Sequence, residues 1–396
     1  MNGLEEIVAL SRRYGEGYDW VIAGGGNTSV KDEHTMWVKS SGTTLATITA
    51  DEFVAMDRAK LAEIWSTSYP SDPDAREKRA LEDLMAARAD TGRTGNEHSR
   101  RPSVETLMHA LFPHRFVVHT HPTMVNGITC ARRGEAAVRE IFGDTALWVP
   151  TIDPGYTLAR DMKTRIDQWL ADHDGAWPTI VVMQNHGLVV AAETIEEIDA
   201  IHTTVNEKVR AAVGRSPEMT PEERDSDRLR EPAEAVARAL AEMSAAHGSA
   251  LERPVVTAFT NPELQRRAAS PESMEPISSA FSPDHIVYSG HRPCYVNLPE
   301  DTNSPQVLHA EVLHAVHDYV HDENCAPKVV VIRGRAAVAV TPTERKTEIA
   351  RLLFLNALQI AAYAESFGGS QFMPEDQIDF VRGWEVEKFR EQYSTT

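Results

Sequence analysis

The chain has 396 residues, of which 42% are hydrophobic, 25% charged and 7% aromatic, and its formal net charge is −19. That length and balance suit a globular protein of two or three domains and exclude disorder, collagen and coiled coil as global descriptions; no run approaches the roughly 18 consecutive apolar residues of a membrane span. The acidity argues against a nucleic-acid partner, whose phosphates it repels, yet it leaves open a local electropositive pocket for a small anion.

The first helix is read over residues 4–14. It is amphipathic and lacks a basic start followed by an apolar core, so no secretory leader is expected. Val21, Ile22, Val30, Met36 and Val38 read as residues of two short strands, broken by Gly24, Gly25 and Gly26. Thr49 and Glu52 make a capping box that opens a helix or turn. A helix is expected over 74–89, a polar loop over 91–102 and a helix from Ser103, where Val104, Leu107, Met108 and Leu111 form one apolar face. FVVHTH (116–121) reads as a strand. TIVVMQNHGLVVAA (179–192) reads as a hairpin with Asn185, His186 and Gly187 near its tip, and the capping box of Thr194 and Glu197 leads into a helix over 195–212. The charged stretch 214–231 holds two prolines and reads as a linker, followed by a helix over 232–247.

The second half echoes the first. PTIVVMQNHGLVVAAET begins at Pro178 and PKVVVIRGRAAVAVTPT at Pro327, 149 positions later, an offset that carries Thr194 onto Thr343 ahead of a helix read over 344–364. HIVYSG (285–290) loosely resembles MWVKSSG (36–42). The pattern predicts a duplicated fold whose second copy has changed, because the same offset replaces His186 with Arg335. The three cysteines, Cys130, Cys294 and Cys325, are odd in number and widely spaced. They make neither a CxxC pair nor a disulfide framework, which suits a reducing, cytoplasmic setting.

His119 and His121 stand two apart on a predicted strand and so share a face. Taken alone, HxH is most simply a pair of strand histidines. With His186 from the hairpin tip, the set becomes three nitrogens and an open position, the ligand pattern of a catalytic zinc site. Ser103 and Glu105 read either as an N-cap and a dipole-complementing acid or as part of a site, since Glu105 precedes His119 by only fourteen residues. GGGNTS and SSGTT match neither the P-loop nor the GxGxxG pattern; each is a simple turn or a cradle of N–H and hydroxyl groups for a phosphate. His309, His314, His317 and His321 recur at helical spacing, and a solvated helix face is the plainer reading of them.

Taken together, GGGNTSVK, KSSGTTL, RPSVETLMHALFPHRFVVHTHP and MQNHGLVV resemble, in order and spacing, the class II aldolase/adducin family over roughly residues 5–212. The second half, with FSPDHIVYSGHRPCYV and VRGWEVEKFRE, is similar to the C-terminal part of the long, two-part members that include rhamnulose-1-phosphate aldolase portions; the dehydrogenase segment of the bifunctional members is not present in these residues. The resemblance implies an α/β fold, an αβα sandwich around a mainly antiparallel sheet. It divides the chain into a catalytic unit (1–213), the linker (214–231) and a degenerate α/β copy (232–396). It implies a homotetramer and a zinc ion, or manganese or cobalt, on His119, His121 and His186, with Glu105 as the catalytic acid/base. It implies phosphate contacts from Asn27, Ser41, Gly42 and Ser103, with Thr28 and Thr43 as neighbours. The expected reaction is cleavage of a ketose 1-phosphate to dihydroxyacetone phosphate and an aldehyde through a metal-stabilised enediolate. Family aldolases often use a further acid, frequently from a neighbouring subunit, to protonate the aldehyde oxygen; Asp153 and Tyr156 are both candidates here. The same family holds sugar-phosphate epimerases, a dehydratase, decarboxylases and the non-catalytic adducin scaffold. The three histidines with Glu105 argue against the scaffold, and a glutamate rather than an aspartate at 105 favours the aldolase.

Overall fold

The structure is a computed structural model that describes residues 3–90, 100–221, 227–247, 254–299, 302 and 304–386. Seven strands form one sheet: β1 (Asn27–Lys31), β2 (Thr35–Lys39), β3 (Phe53–Asp57), β4 (Phe116–Thr120), β5 (Ala146–Val149), β6 (Ile180–Met183) and β7 (Gly187–Ala192). Their order is β3-β2-β1-β4-β7-β6-β5, and every pairing is antiparallel except β5 with β6. Alternate residues of each strand point to opposite faces, and each face has its own core. Val118, Val182 and Val190 pack with Ile7 and Leu10 of the helix Gly3–Gly15. Val117, Val181 and Val189 pack with Leu107, Ala159 and Met162 on the other side. The sheet is thus the middle layer of an αβα sandwich, as expected.

Four further strands, β8 (Val255–Phe259), β9 (Cys294–Val296), β10 (Val329–Ile332) and β11 (Ala336–Thr341), form a second sheet in the order β8-β11-β10-β9. Its pairings repeat those of β4-β7-β6-β5 one for one: antiparallel, antiparallel, then parallel. Helix Pro305–Glu323 joins β9 to β10 as Tyr156–Asp172 joins β5 to β6. Helix Glu344–Ala364 follows β11 as Ile195–Ala212 follows β7, each capped by a threonine side chain, Thr343 or Thr194. The two hairpin tips even place a left-handed residue at the same offset, Asn185 (φ 53°) and Gly334 (φ 66°). The repeat read from one sequence segment is therefore a repeat of topology.

Several local expectations shift. Val21 and Ile22 are buried in irregular chain before β1, not in a strand. The helix expected from Ser103 spans Thr106–Leu111, because Ser103 is taken up by a turn in which its carbonyl accepts both Thr106 N–H (3.1 Å) and Thr106 Oγ1 (2.5 Å). His285–Ser289, likened to a strand, is a π-helix. Its Ile286, Val287 and Tyr288 pack on Leu353, Met373 and Ile378, and that tertiary packing overrides β propensity. The helix expected at 232–247 starts earlier, at Asp227. Within the stretch read as a linker, Arg215 is pinned by Glu263 (2.7 Å) and Glu365 (2.9 Å). Residues 91–99 of the predicted polar loop lie outside the described residues, as does the end of VRGWEVEKFRE. All three cysteines are free thiols, and no helix among the described residues is long and apolar enough to cross a membrane.

His202 links this packing to pH. It is 1% exposed, its Nδ1–H donates to the Ile198 carbonyl (2.9 Å), and its ring lies against Tyr14 and Trp20. Burial pushes its pKa down to about 4, whereas an unfolded imidazole titrates near ~6.5. The stability that rests on neutral His202 is complete above about pH 6.5 and is lost as pH falls toward 4; at pH 5 the loss is on the order of 2 kcal/mol. In thermal melts, His202→Phe should narrow the gap between pH 7 and pH 5 relative to the wild type. An unchanged gap would assign the acid sensitivity to other groups.

Candidate metal centre

Strand β4 runs through the middle of the large sheet, with His119 opposite Asn27 on β1 and Val189 on β7. His121 lies just past the end of β4, and His186 sits at the β6–β7 tip, where left-handed Asn185 turns the chain. The three imidazoles converge, with ring centroids 4.8, 4.9 and 5.3 Å apart, and their ligand atoms all lie within 4.8 Å of one another. This is the one such group found among the described residues. Of the four helix histidines, His314, His317 and His321 lie exposed beside Asp318 and Asp322, a solvated face as read from the sequence, whereas His309 is partly buried with its Nε2 3.2 Å from Glu242.

The hydrogen bonds on the far side of the rings fit a metal. The Nδ1–H of His119 donates to the Leu188 carbonyl (3.0 Å), an acceptor only, which leaves Nε2 with a bare lone pair. Nδ1 of His121 meets Asp284 Oδ2 at 2.5 Å, which fixes the same tautomer. The two Nε2 atoms are then 3.0 Å apart with lone pairs facing each other. A cation between them satisfies that arrangement, and tetrahedral zinc at about 2.0–2.1 Å from each nitrogen separates its ligands by about 3.3 Å. Burial also pushes His186 down to about 4, so it stays neutral and able to ligate.

Glu105 faces this cluster. Its Oε1 is 3.3 Å from Nε2 of both His119 and His186, and its Oε2 accepts from Asn27 Nδ2 at 3.4 Å. The turn at Ser103 fixes its place, since Ser103 N–H donates to the Lys39 carbonyl (3.2 Å) and Ser103 Oγ accepts from Glu105 N–H (3.2 Å). A carboxylate set beside metal-ready nitrogens is placed to move a proton.

Ser41, Gly42 and Ser103 line the same small cavity as Glu105, His121 and His186. Asn27 touches it through Glu105. Thr28 and Thr43 are turned elsewhere: Thr28 Oγ1 pairs with Ser11 Oγ (2.7 Å) against the first helix, and Thr43 Oγ1 donates to the Ser40 carbonyl (2.9 Å). Asp153 and Tyr156 do not line this small cavity, though Pro154 between them does, and Tyr156 lines the larger cleft beside it. Tyr156 packs on Tyr69 and Trp65, its N–H held by Glu77 at 2.9 Å. Burial and then Asp376 raise the pKa of Asp153.

Two residues of the cavity wall were not picked out from the sequence. Lys39, 3% exposed, brings an ammonium to the wall and donates to the Gly24 (3.2 Å) and Thr43 (2.8 Å) carbonyls; its place between the strand and SSGTT was the available signal. Asp284 comes from the second half and had no local signal. The cavity holds only about 30 Å³, and it shares Val104 and Val386 with a cleft of about 830 Å³.

The model of the class II aldolase and adducin N-terminal domain matches residues 5–213. A protein of Bacillus subtilis (strain 168), the uncharacterized oxidoreductase YuxG, is 26% identical over 423 residues, covering 98% of this chain and 58% of that protein. The chain thus spans little more than half the length of that relative. Among solved structures, the N-terminal class II aldolase domain of a conserved Thermoplasma acidophilum protein is similar at 25% identity and a TM-score of 0.43, over 52% of this chain and 92% of that one. L-fuculose-1-phosphate aldolase from Thermus thermophilus is similar at 14% identity and a TM-score of 0.33, over 52% of this chain and 92% of that one.

Proposed function

Since the chain belongs to the class II aldolase and adducin N-terminal domain family, we propose that it is a metal-dependent aldolase that reversibly cleaves a ketose 1-phosphate into dihydroxyacetone phosphate and an aldehyde. The observation that carries this reading is the Glu105 carboxylate set 3.3 Å from two of three converging imidazoles, beside a hydroxyl-lined cavity. His119, His121 and His186 would hold the ion, zinc by their three nitrogens, with manganese or cobalt as substitutes. When bound, the divalent ion supplies a Lewis acid that stabilises the negative charge of the enediolate.

The chain's own residues do the rest. Ser41, Gly42, Ser103 and the Lys39 ammonium hold the substrate phosphate, so that binding energy orients the carbons that react. Glu105 moves the proton at the carbon beside the ketone, and Asn27 Nδ2 holds its second oxygen in place. The cleft behind Val104 and Val386 has the volume for the aldehyde portion. Tyr156 lines the cleft that takes the aldehyde and is the candidate acid for its oxygen within one chain, whereas Asp153 lines neither space and serves as that acid only across subunits, in a homo-oligomer for which a tetramer is the family's habit. The setting we propose is the cytoplasm.

Metal-replete protein incubated with a panel of ketose 1-phosphates, with dihydroxyacetone phosphate read by a coupled reductase, tests this reading. Release from at least one sugar, abolished by a chelator and restored by zinc, is expected. No release from any sugar would turn the reading to epimerase, dehydratase or decarboxylase chemistry at the same site.

A further inference from the structure

The second half touches the metal centre at two places. Asp284 stands at the entrance to the π-helix His285–Ser289, 3% exposed, with Oδ2 2.5 Å from Nδ1 of His121. The turn that presents His186 is tied to the same half, for Asn185 Nδ2 donates to the carbonyls of Phe281 (3.0 Å) and Gln371 (2.8 Å). The large sheet makes way for the carboxylate: a Cβ at Gly25 would lie 2.7 Å from Asp284 Oδ2 and 3.1 Å from His121 Nδ1. The Cβ would also lie 3.0 Å from the Ile22 carbonyl oxygen, so the carboxylate, the imidazole and the backbone together close position 25 to a side chain. Pro283 and Asp284 also line the cavity together with Ser41 and Ser103.

We propose that Asp284 is a positioning residue for the metal ligand His121, which makes the degenerate second half a working part of the metal centre. The inference rests on the metal reading above. A carboxylate that accepts Nδ1–H fixes the ring's orientation and tautomer and makes Nε2 a better donor. The Leu188 carbonyl does this for His119 within the large sheet; for His121 the group comes from 163 residues further along the chain. The half with Arg335 where the 149-residue offset places His186 thus has a role at that histidine's site.

The test uses the full chain and cobalt(II) as the probe. Cobalt affinity is measured by competition with a chelator, the visible ligand-field bands report the coordination, and the melting temperature of the metal-free protein reports the fold. Asp284→Asn should weaken cobalt binding about 10–100-fold and shift the bands. Gly25→Ala, whose Cβ would crowd both the Asp284 carboxylate and the His121 ring, should act in the same direction. Wild-type affinity and spectrum in Asp284→Asn would overturn the inference and leave the proposed function standing. A variant that only melts lower without its metal, with affinity unchanged, would overturn it too, since that is what a purely structural contact does. Wild-type protein that takes up no cobalt would overturn this inference together with the metal reading.

Discussion

Glu105→Gln is expected to lower aldolase turnover by about 10²–10⁴-fold, the usual contribution of a positioned general acid/base, while the protein keeps its fold and its metal. The substitution preserves shape and volume. The amide oxygen still accepts from Asn27 Nδ2, now 3.4 Å from the carboxylate, so that partner is not orphaned. What is lost is a group that can take up and return a proton beside the imidazoles of His119 and His186. The loss belongs in kcat, because Glu105 acts at the reacting carbon and not at the phosphate. Single-turnover rates and metal content measured together separate this outcome from a loss of metal. A variant with more than a tenth of wild-type turnover would place the base elsewhere.

The second large effect is expected at His119. Its side chain is fully buried, its Nδ1–H is committed to Leu188, and its Nε2 faces both His121 and Glu105. His119→Ala removes one of three ligands and leaves the buried Leu188 carbonyl without its side-chain donor, at about 1–3 kcal/mol. Metal content should fall from one ion per chain to near zero, and turnover to background. Chelated wild-type protein should regain turnover when zinc is added back, and the variant should not. A His119→Ala protein that still binds one equivalent of zinc and turns over would contradict the ligand set.

How far the sequence could be read follows from the range of the interactions. The His119–His121 pair and the His186 tip were legible because period-two burial and a tight turn are local properties. Thr194 and Thr343 announced their helices through caps, and Pro178 and Pro327 announced the repeat. Ser103 misled by one turn: it resembles an N-cap, yet its carbonyl is drawn into a turn with Thr106 and the helix waits until that turn is complete. His285–Ser289 misled through its likeness to residues 36–42, for its packing makes it a π-helix where those hold a strand. Thr28 and Thr43 looked like their cradle neighbours, but burial assigned their hydroxyls to Ser11 and Ser40. Asp284 was out of reach altogether, because nothing near it in the chain points to an imidazole 163 positions away.

The central claim is that Glu105 and a divalent ion on the three histidines labilise a proton next to a phosphorylated ketone. It can be tested without knowing the aldehyde. Dihydroxyacetone phosphate alone, incubated with the zinc-loaded protein in deuterium oxide and followed by proton NMR, should lose one hydrogen at its hydroxymethyl carbon to exchange. The exchange should stop on chelation, return with zinc and be absent in Glu105→Gln. Zinc-loaded wild-type protein that leaves every carbon-bound hydrogen in place would contradict the account.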